Sequence, residues 1–319
     1  MRVVVTGGAG FIGSHVVDAL CARGDEVLVL DDLSSGRRDQ VAQAALFYES
    51  DVRSADAALA VSRFRPDAIM HLAAQMSVSR SVREPLFDAE VNILGSLNML
   101  EAARSAGARF VFASTGGALY GDAGVLPTPE AHAATPISPY GVSKLAVEHY
   151  LDCYRVTHGV RAIALRYANV YGPRQNPHGE AGVVAIFCKN LVAGQTSTIN
   201  GDGTQTRDYT YVGDVVQAVL LALDSDVCGA FNVGTGQQTD VNTLFEILSG
   251  CFSSPAPAAH AAARPGEQLT SALDCTLISA RLGWHPEVEI ADGLRLTASW
   301  FQRNAGVALA AAGPVPISA

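Results

Sequence analysis

The chain has 319 residues, 49 % of them apolar, and a formal charge of −9 at pH 7. That length and apolar content imply a folded globular protein with a real core, in one large or two modest domains. The acidic balance argues against nucleic acid or an anionic membrane as partner, and an anionic ligand would need locally placed arginines. The six cysteines (Cys21, Cys153, Cys188, Cys228, Cys251 and Cys275) are scattered without a C-x-x-C. Neither a zinc site nor a disulfide framework is expected, and reduced thiols in a cytoplasmic protein fit best. The N-terminus lacks a signal-peptide pattern, and no apolar run reaches the ~18 residues of a membrane span.

Residues 3–5 are a β-branched run, read as a buried strand, which ends in Thr6-Gly-Gly-Ala-Gly-Phe-Ile-Gly13. Ile12, Val16, Val17 and Leu20 then recur at helical spacing, Gly24 stops the helix, and a second strand at 27–30 leads into Asp31. This is a βαβ unit. Gly7, Gly10 and Gly13 let a pyrophosphate approach the backbone, where the helix N-terminus offers free N–H groups and a positive dipole end. Asp31 can accept a ribose 2′-OH and would repel a 2′-phosphate. It therefore favours NAD over NADP, although Arg37 and Arg38 follow closely.

The alternation continues. Residues 68–72 read as a strand containing His71 and ending in Ala73-Ala74. Residues 87–106 form a helix with Val91, Leu94, Leu97, Leu100 and Ala103 at helical spacing. A strand at 109–112 ends in Ala113-Ser114-Thr115, a helix begins at Tyr140, and a strand follows at 161–165. In open parallel sheets ligands sit beyond the carboxyl ends of the strands, where Gly7, Asp31, Ala73 and Thr115 all fall. Beyond Tyr167 come a loop (172–179), a helix (183–192), a turn (200–203), the segment 207–212, a helix (214–223), a short strand (230–233) and a helix (242–251). A loop rich in Ala, Pro and Ser (253–264) follows, and the tail from 306 is expected to fray. The fold class is α/β: a Rossmann-type doubly wound parallel sheet over 1–166, with a returning segment near 205–233, and a smaller α/β substrate-binding domain over 167–319.

Tyr140-Gly-Val-Ser-Lys144 places a phenol and an ammonium on one helical face. A phenol ionises near pH ~10 and is a poor base at neutrality. A nearby ammonium favours the phenolate, and the pair can then take a proton from an alcohol and return it. The chain has 20 Arg but only two Lys, Lys144 and Lys189, which suggests that a compact ammonium is needed here.

Taken in order, the glycine loop, Asp31, His71-Leu-Ala-Ala74, Ser114-Thr115 before Tyr120-Gly121, Tyr140-x-x-x-Lys144, Arg166-Tyr-Ala-Asn169 and Arg207-Asp208 resemble the extended short-chain dehydrogenase/reductases. Within them the chain is similar to the NAD-dependent nucleotide-sugar epimerases of the UDP-glucose 4-epimerase group. The resemblance implies that Gly7, Gly10, Phe11 and Ile12 hold the NAD pyrophosphate and Asp31 the adenosine ribose. Asp51 and Val52 would lie beside adenine. Leu72, Ala73, Ala74, Asn92 and Tyr167 would line the cofactor. It makes Tyr140 the base, Lys144 the holder of the nicotinamide ribose, and Thr115 the partner of the reacting hydroxyl. It assigns the UDP-sugar to Asn169, Val183, Thr198, Asn200, Arg207, Arg264, Glu267 and Ser271. A homodimer, packed through the helices at 90–106 and after Tyr140, is also implied.

Sister dehydratases and decarboxylases carry acids just after the Ser/Thr. Here Gly116, Gly117 and Ala118 follow, so epimerisation is expected in preference to loss of water or carboxylate. UDP-glucuronate remains an alternative substrate, and a silent NAD sensor an alternative role. Ser271 is small where a bulky residue would exclude N-acetylated sugars, so UDP-N-acetylhexosamines are candidates beside UDP-glucose and UDP-galactose. Either Ser114 or Thr115 could face the substrate. His71 reads as structural, and His178 with Glu180 lacks the further spacing of a metal site.

Overall fold

The first half alternates as β1 (Arg2–Thr6), α1 (Phe11–Ala22), β2 (Glu26–Asp31), β3 (Leu46–Glu49), α2 (Ala55–Phe64) and β4 (Ala68–His71). It continues with α3 (Val78–Arg83), α4 (Pro85–Ala89), α5 (Gly95–Ala106), β5 (Arg109–Thr115), α6 (Pro139–His158) and β6 (Ala162–Tyr167). The second half runs β7 (Asn169–Tyr171), α7 (Val183–Ala193), β8 (Ser197–Asn200), β9 (Thr206–Arg207), β10 (Tyr209–Tyr211), α8 (Val212–Asp224) and β11 (Gly229–Val233). Then come β12 (Thr239–Asp240), α9 (Val241–Ser249), β13 (Ala258–Ala261), α10 (Thr276–Leu282) and α11 (Ile290–Arg303). This computed structural model describes residues 1–121, 123–178, 182–253, 255–263 and 268–306. The expectations for Arg264, Glu267 and nearly all of the tail fall outside the described residues.

Among the described residues, seven strands form one parallel sheet in the order β3-β2-β1-β4-β5-β6-β11. The order reverses between β1 and β4, which creates the crevice where a doubly wound sheet takes its ligand. Side chains of one strand alternate between faces. Val3, Val5 and Val29 therefore pack with Val16, Val17 and Leu20 of α1 and Val215 and Val219 of α8. Val4, Ile69, Phe110 and Phe112 pack on the other face with Val61 of α2, Met99 and Leu100 of α5, and Val147 and Leu151 of α6. A third apolar cluster joins α7, α9 and α11 through Phe187, Leu191, Leu244, Leu248, Leu294 and Phe301. At ~1.5–3 kcal/mol per large buried side chain, burial in this cluster contributes to holding the later helices together.

Two elements differ from the sequence expectation. The helix expected over 87–106 is interrupted by a π turn, Glu90–Leu94, between α4 and α5. Apolar spacing continues through the turn, so the pattern concealed it. Residues 253–264, expected as a loop, contain β13, which pairs in parallel with β8. Their Ala and Pro content carries no β-branched signal, and the strand owes its place to backbone pairing.

Candidate active site

The glycine loop is built by close contact. Gly7 has φ +69°, and a Cβ on it would stand 2.7 Å from the backbone nitrogen of Ala73. A Cβ on Gly13 would stand 2.1 Å from the Gly7 carbonyl oxygen. The loop thus folds onto both the start of α1 and the end of β4, leaving room for no side chain. Gly10 caps α1 without a side-chain acceptor, and the first turn, which includes Phe11 and Ile12, has no acid. Its free N–H groups suit an anion.

Asp31 is buried and accepts the backbone N–H groups of Ala9 (2.9 Å) and Leu33 (2.9 Å). Burial pushes its carboxyl up, and the two N–H donors oppose that. Arg37 is paired with Asp39 and Arg38 lies over the Phe47 ring, so both arginines have protein partners. Asp51 is ion-paired with Arg53, and Val52 beside it is buried. The Tyr167 hydroxyl is buried without a hydrogen-bond partner. A Gly-lined cradle, an uncapped helix start, a strand-end carboxylate and this orphaned hydroxyl together fit a dinucleotide.

His71 is fully enclosed and neutral, its pKa pushed down to about 3, mainly by burial and then by the charge of Lys144. Thr6 Oγ1 accepts the N–H groups of Leu72 and Ala73 (both 3.2 Å) and faces His71 Nδ1 at 2.8 Å. With Nδ1 as acceptor, Nε2–H donates to Ser96 Oγ at 3.0 Å, and Ser96 Oγ donates to the Asn92 carbonyl at 2.6 Å. The imidazole is thus a strut between β4 and the π turn. Asn92 holds the loop after Ala74: its Oδ1 accepts the Gln75 N–H and its Nδ2 donates to the Gln75 carbonyl.

Tyr140 and Lys144 stand at the start of α6. Ser138 caps that helix by accepting the Gly141 N–H, and Pro139 occupies its first turn. A Cβ on Gly141 would lie 2.5 Å from the Ala118 carbonyl oxygen, so a glycine there lets α6 close on the 116–118 loop. Tyr140 and Thr115 consequently line one cavity of ≈ 430 Å³. Lys144 is buried, donates to the Ala113 carbonyl at 2.9 Å, and lies over the Phe112 ring at 4.7 Å. Burial pushes the Tyr140 phenol up to about 12, with Asp88 adding to the effect, and burial pulls Lys144 down to about 8. The sequence reading had the ammonium lowering the phenol. With Lys144 Nζ 5.8 Å from the Tyr140 ring centre, desolvation outweighs it.

Ser114 and Thr115 point different ways. Ser114 Oγ is buried and donates to Glu148 Oε1 at 2.6 Å. Glu148 in turn pairs with Arg166 at 2.6 Å, and Arg166 donates to the Tyr120 hydroxyl at 2.7 Å. Thr115 lines the cavity, and among the described residues its Oγ1 accepts a long 3.3 Å contact from the Ala118 N–H. Asn169 and Arg207 share the wall, and Arg207 donates to the Thr206 carbonyl. Asp208 fixes the strand beside them by accepting from Thr235, Gly236 and Leu273.

Val183 begins α7, and Thr198 and Asn200 lie on β8, Thr198 exposed; none of the three is on the cavity wall. Ser271 is buried off the wall, whereas Gln268 is on it and donates to the Gly121 carbonyl at 2.7 Å. None of the described residues lining the cavity is acidic. Among the residues passed over in sequence, Asp88 sits one turn before Asn92 and Glu148 one turn after Lys144. That i, i+4 spacing was the available signal for both.

Residues 3–234 match the NAD dependent epimerase/dehydratase family. The chain belongs to that family. It is 45 % identical over 311 residues to the UDP-glucose 4-epimerase of Mycolicibacterium smegmatis, covering 95 % of this chain and 99 % of the relative. The crystal structure of the Thermotoga maritima UDP-glucose 4-epimerase with UDP-glucose superposes with a TM-score of 0.91. The two chains are 47 % identical, with 95 % of this one and 99 % of that one covered. A UDP-N-acetylglucosamine 4-epimerase from Methanobrevibacter ruminantium, in complex with UDP-N-acetylmuramic acid, is 35 % identical with a TM-score of 0.89. That match covers 94 % of this chain and 97 % of that one. The resemblance and the doubly wound α/β fold expected from the motifs are thus borne out for this epimerase/dehydratase family member.

Proposed function

We propose that the chain is a UDP-sugar 4-epimerase that works with tightly held NAD. The observation that carries this reading is the cavity in which Thr115 and Tyr140 stand together over a floor of Gly117 and Ala118, with no acid on its described wall. Such a site can remove and return one proton, but it lacks a group to expel water or to deprotonate a second carbon.

The glycine loop, the start of α1 and Asp31 would hold the dinucleotide, with Lys144 and Tyr167 toward its nicotinamide end. Bound NAD supplies a hydride acceptor and donor. Thr115 donates to or accepts from the sugar 4-OH and orients it. Tyr140 takes the hydroxyl proton and later returns it to the C4 oxygen, after the sugar has turned over as its 4-keto form and presents the opposite face of C4 for reduction. Lys144 stays an ammonium, and its charge favours the phenolate when the site is filled. Arg207 and Asn169 receive the diphosphate side, where a −9 chain needs a cation. Arg264, Glu267, Thr198, Asn200 and Val183 are proposed toward the nucleotide and Ser271 toward the sugar, on resemblance.

The test is to incubate the purified protein with UDP-glucose, UDP-galactose, UDP-glucuronate and UDP-GlcNAc, without added NAD, and to identify the products. Inversion at C4 of UDP-galactose is expected. Keto-deoxy or decarboxylated products would contradict the reading, and NAD retention without turnover would favour the sensor. Small residues (Gly117, Ala118, Gly121 and Ala168) line the wall, and measurable turnover of UDP-GlcNAc is expected as well; a rate below detection removes it as a substrate.

Thr115 and Ser114 give a paired prediction. Thr115→Ala should lower kcat by about 10- to 100-fold, in the range of a lost hydrogen bond of ~1.4–3 kcal/mol in the transition state. Ser114→Ala should mainly lower thermal stability, because it leaves Glu148 one donor short. A larger kcat loss for Ser114→Ala than for Thr115→Ala would reverse the two roles.

A homodimer is proposed, on resemblance, through the helix near 90–106 and the one after Tyr140, where Leu94 is 58 % and Val142 50 % exposed. Light scattering would give the mass. A cytoplasmic location is proposed from the unpaired cysteines; none of the described helices is long and apolar enough to cross a membrane.

A further inference from the structure

Asp88 on α4 is completely buried, and no ion pair is formed by it among the described residues. Its carboxylate is instead held by three neutral donors. Oδ1 accepts Gln75 Nε2 at 2.8 Å and Asn92 Nδ2 at 2.9 Å, and Oδ2 accepts Ser143 Oγ at 2.7 Å. The amide orientations are forced. Gln75 Nε2 also donates to the Ser77 carbonyl and its Oε1 accepts the Ser77 N–H, while Asn92 is fixed to the Gln75 backbone through both its oxygen and its nitrogen. Asp88 Oδ1 therefore meets two N–H groups that have no lone pair to offer. Both carboxylate oxygens are thus filled by donors.

These three donors come from three different elements: the loop after β4, the π turn, and α6 between Tyr140 and Lys144. The mechanism proposed above uses none of the Asp88 oxygens. We propose that Asp88 is a positioning residue for the Tyr140–Lys144 pair: it ties the first turns of α6 to the cofactor-side loop and supplies the buried negative charge that keeps Lys144 an ammonium. It acts through the pair and touches neither substrate nor cofactor.

The other charges facing the pair are accounted for. Glu148 lies one turn beyond Lys144 on α6 and also opposes the loss of its proton, after Asp88, although its carboxylate is shared with Arg166 of β6. His71 of β4 is neutral. Asp88, on the helix packed across from α6, is the negative charge left without a cation of its own, and it opposes the loss of a proton from both Tyr140 and Lys144. A buried ammonium is disfavoured by desolvation, and a fixed carboxylate offsets that cost. Because the two groups interact, their protons leave in two macroscopic steps whose midpoints belong to the pair, and the tyrosinate signal follows the share carried by Tyr140.

The inference rests on Tyr140 and Lys144 being the proton-handling pair, and its test is read without turnover. The tyrosinate absorbance of NAD-loaded protein is titrated against pH, and the same titration of Tyr140→Phe is subtracted to isolate Tyr140. Asp88→Asn is expected to move the isolated midpoint to lower pH by roughly one unit, a tenfold change in the ionisation constant. The acid limb of kcat should move the same way with KM little changed. An unmoved midpoint with lowered thermal stability would overturn the proposal and leave Asp88 a purely structural residue. If Asp88→Asn does not fold, Ser143→Ala decides. It keeps the carboxylate and removes one of its donors, so more of the negative field reaches the pair and the midpoint should rise. A midpoint that stays or falls in Ser143→Ala overturns the proposal. Failure of the underlying reading shows itself separately, as turnover retained by Tyr140→Phe.

Discussion

Tyr140→Phe should lower kcat by about 10²- to 10⁴-fold while leaving NAD bound, the range expected for loss of a general acid–base group. The ring stays, so the start of α6 keeps its packing and the cavity keeps its shape. Only the hydroxyl that moves the proton is lost. The size of its task follows from the ligand-free phenol, which burial and Asp88 hold up near pH 12. Acting as a base at pH 7 takes roughly five units, or about 7 kcal/mol of differential interaction. Lys144 alone does not supply it, since its field is already present. A cationic nicotinamide on binding is the remaining source, so Tyr140 should be a competent base only in the filled site. Turnover assays, with release and quantitation of NAD after denaturation, check both halves. Turnover retained by the variant would remove Tyr140 from the chemistry.

Glu148→Ala is expected to be the most destabilising single change at the site, by about 3–5 kcal/mol. It would strand the Arg166 guanidinium, whose side chain is only 10 % exposed, and leave Ser114 Oγ without its acceptor. Burial opposes the guanidinium charge and the hydrogen bonds to Glu148 sustain it; even without them an arginine keeps its proton at neutral pH, so the stranded charge cannot escape by titration. At a few degrees per kcal/mol for a chain of this size, Tm should fall on the order of 10 °C, which calorimetry would register. Pairing the change as Glu148→Leu with Arg166→Met should restore much of the loss, because an apolar pair of similar volume carries no stranded charge. If the double variant is no better than the single one, the pair contributes chiefly through its links to Ser114 and Tyr120.

The parts of the fold legible in sequence were those where one strand or helix carries its own pattern. Residues 3–5, the glycine loop, Asp31 and Tyr140-x-x-x-Lys144 each announce a local geometry, and the structure puts Thr115 and Tyr140 on a common cavity with Asn169 and Arg207. What stayed hidden depends on pairings across the chain. Ser114 and Thr115 are neighbours of like chemistry, and only Glu148, 34 residues away, separates them. Asp88 looks like any acid on a surface helix until the π turn and α6 close over it. Sequence shows the ammonium near Tyr140 but not the burial that, in the ligand-free chain, pushes the phenol up. Gln268 could not be told from its neighbours because a loop has no period from which to read an inward face.

The last strand of the large sheet, β11, joins β6 from a position about 60 residues further along the chain. During synthesis at ~5–20 residues per second, β6 must therefore wait several seconds with an open edge. Throughout that interval Tyr140, Lys144 and Thr115 have already been made, but the backbone groups of β6 that β11 will pair remain available to any other strand. A ribosome-bound chain halted between residues 167 and 229 would present that edge of β6 without its partner strand. The burden of shielding it falls on whatever chaperone meets the chain there, rather than on the finished fold.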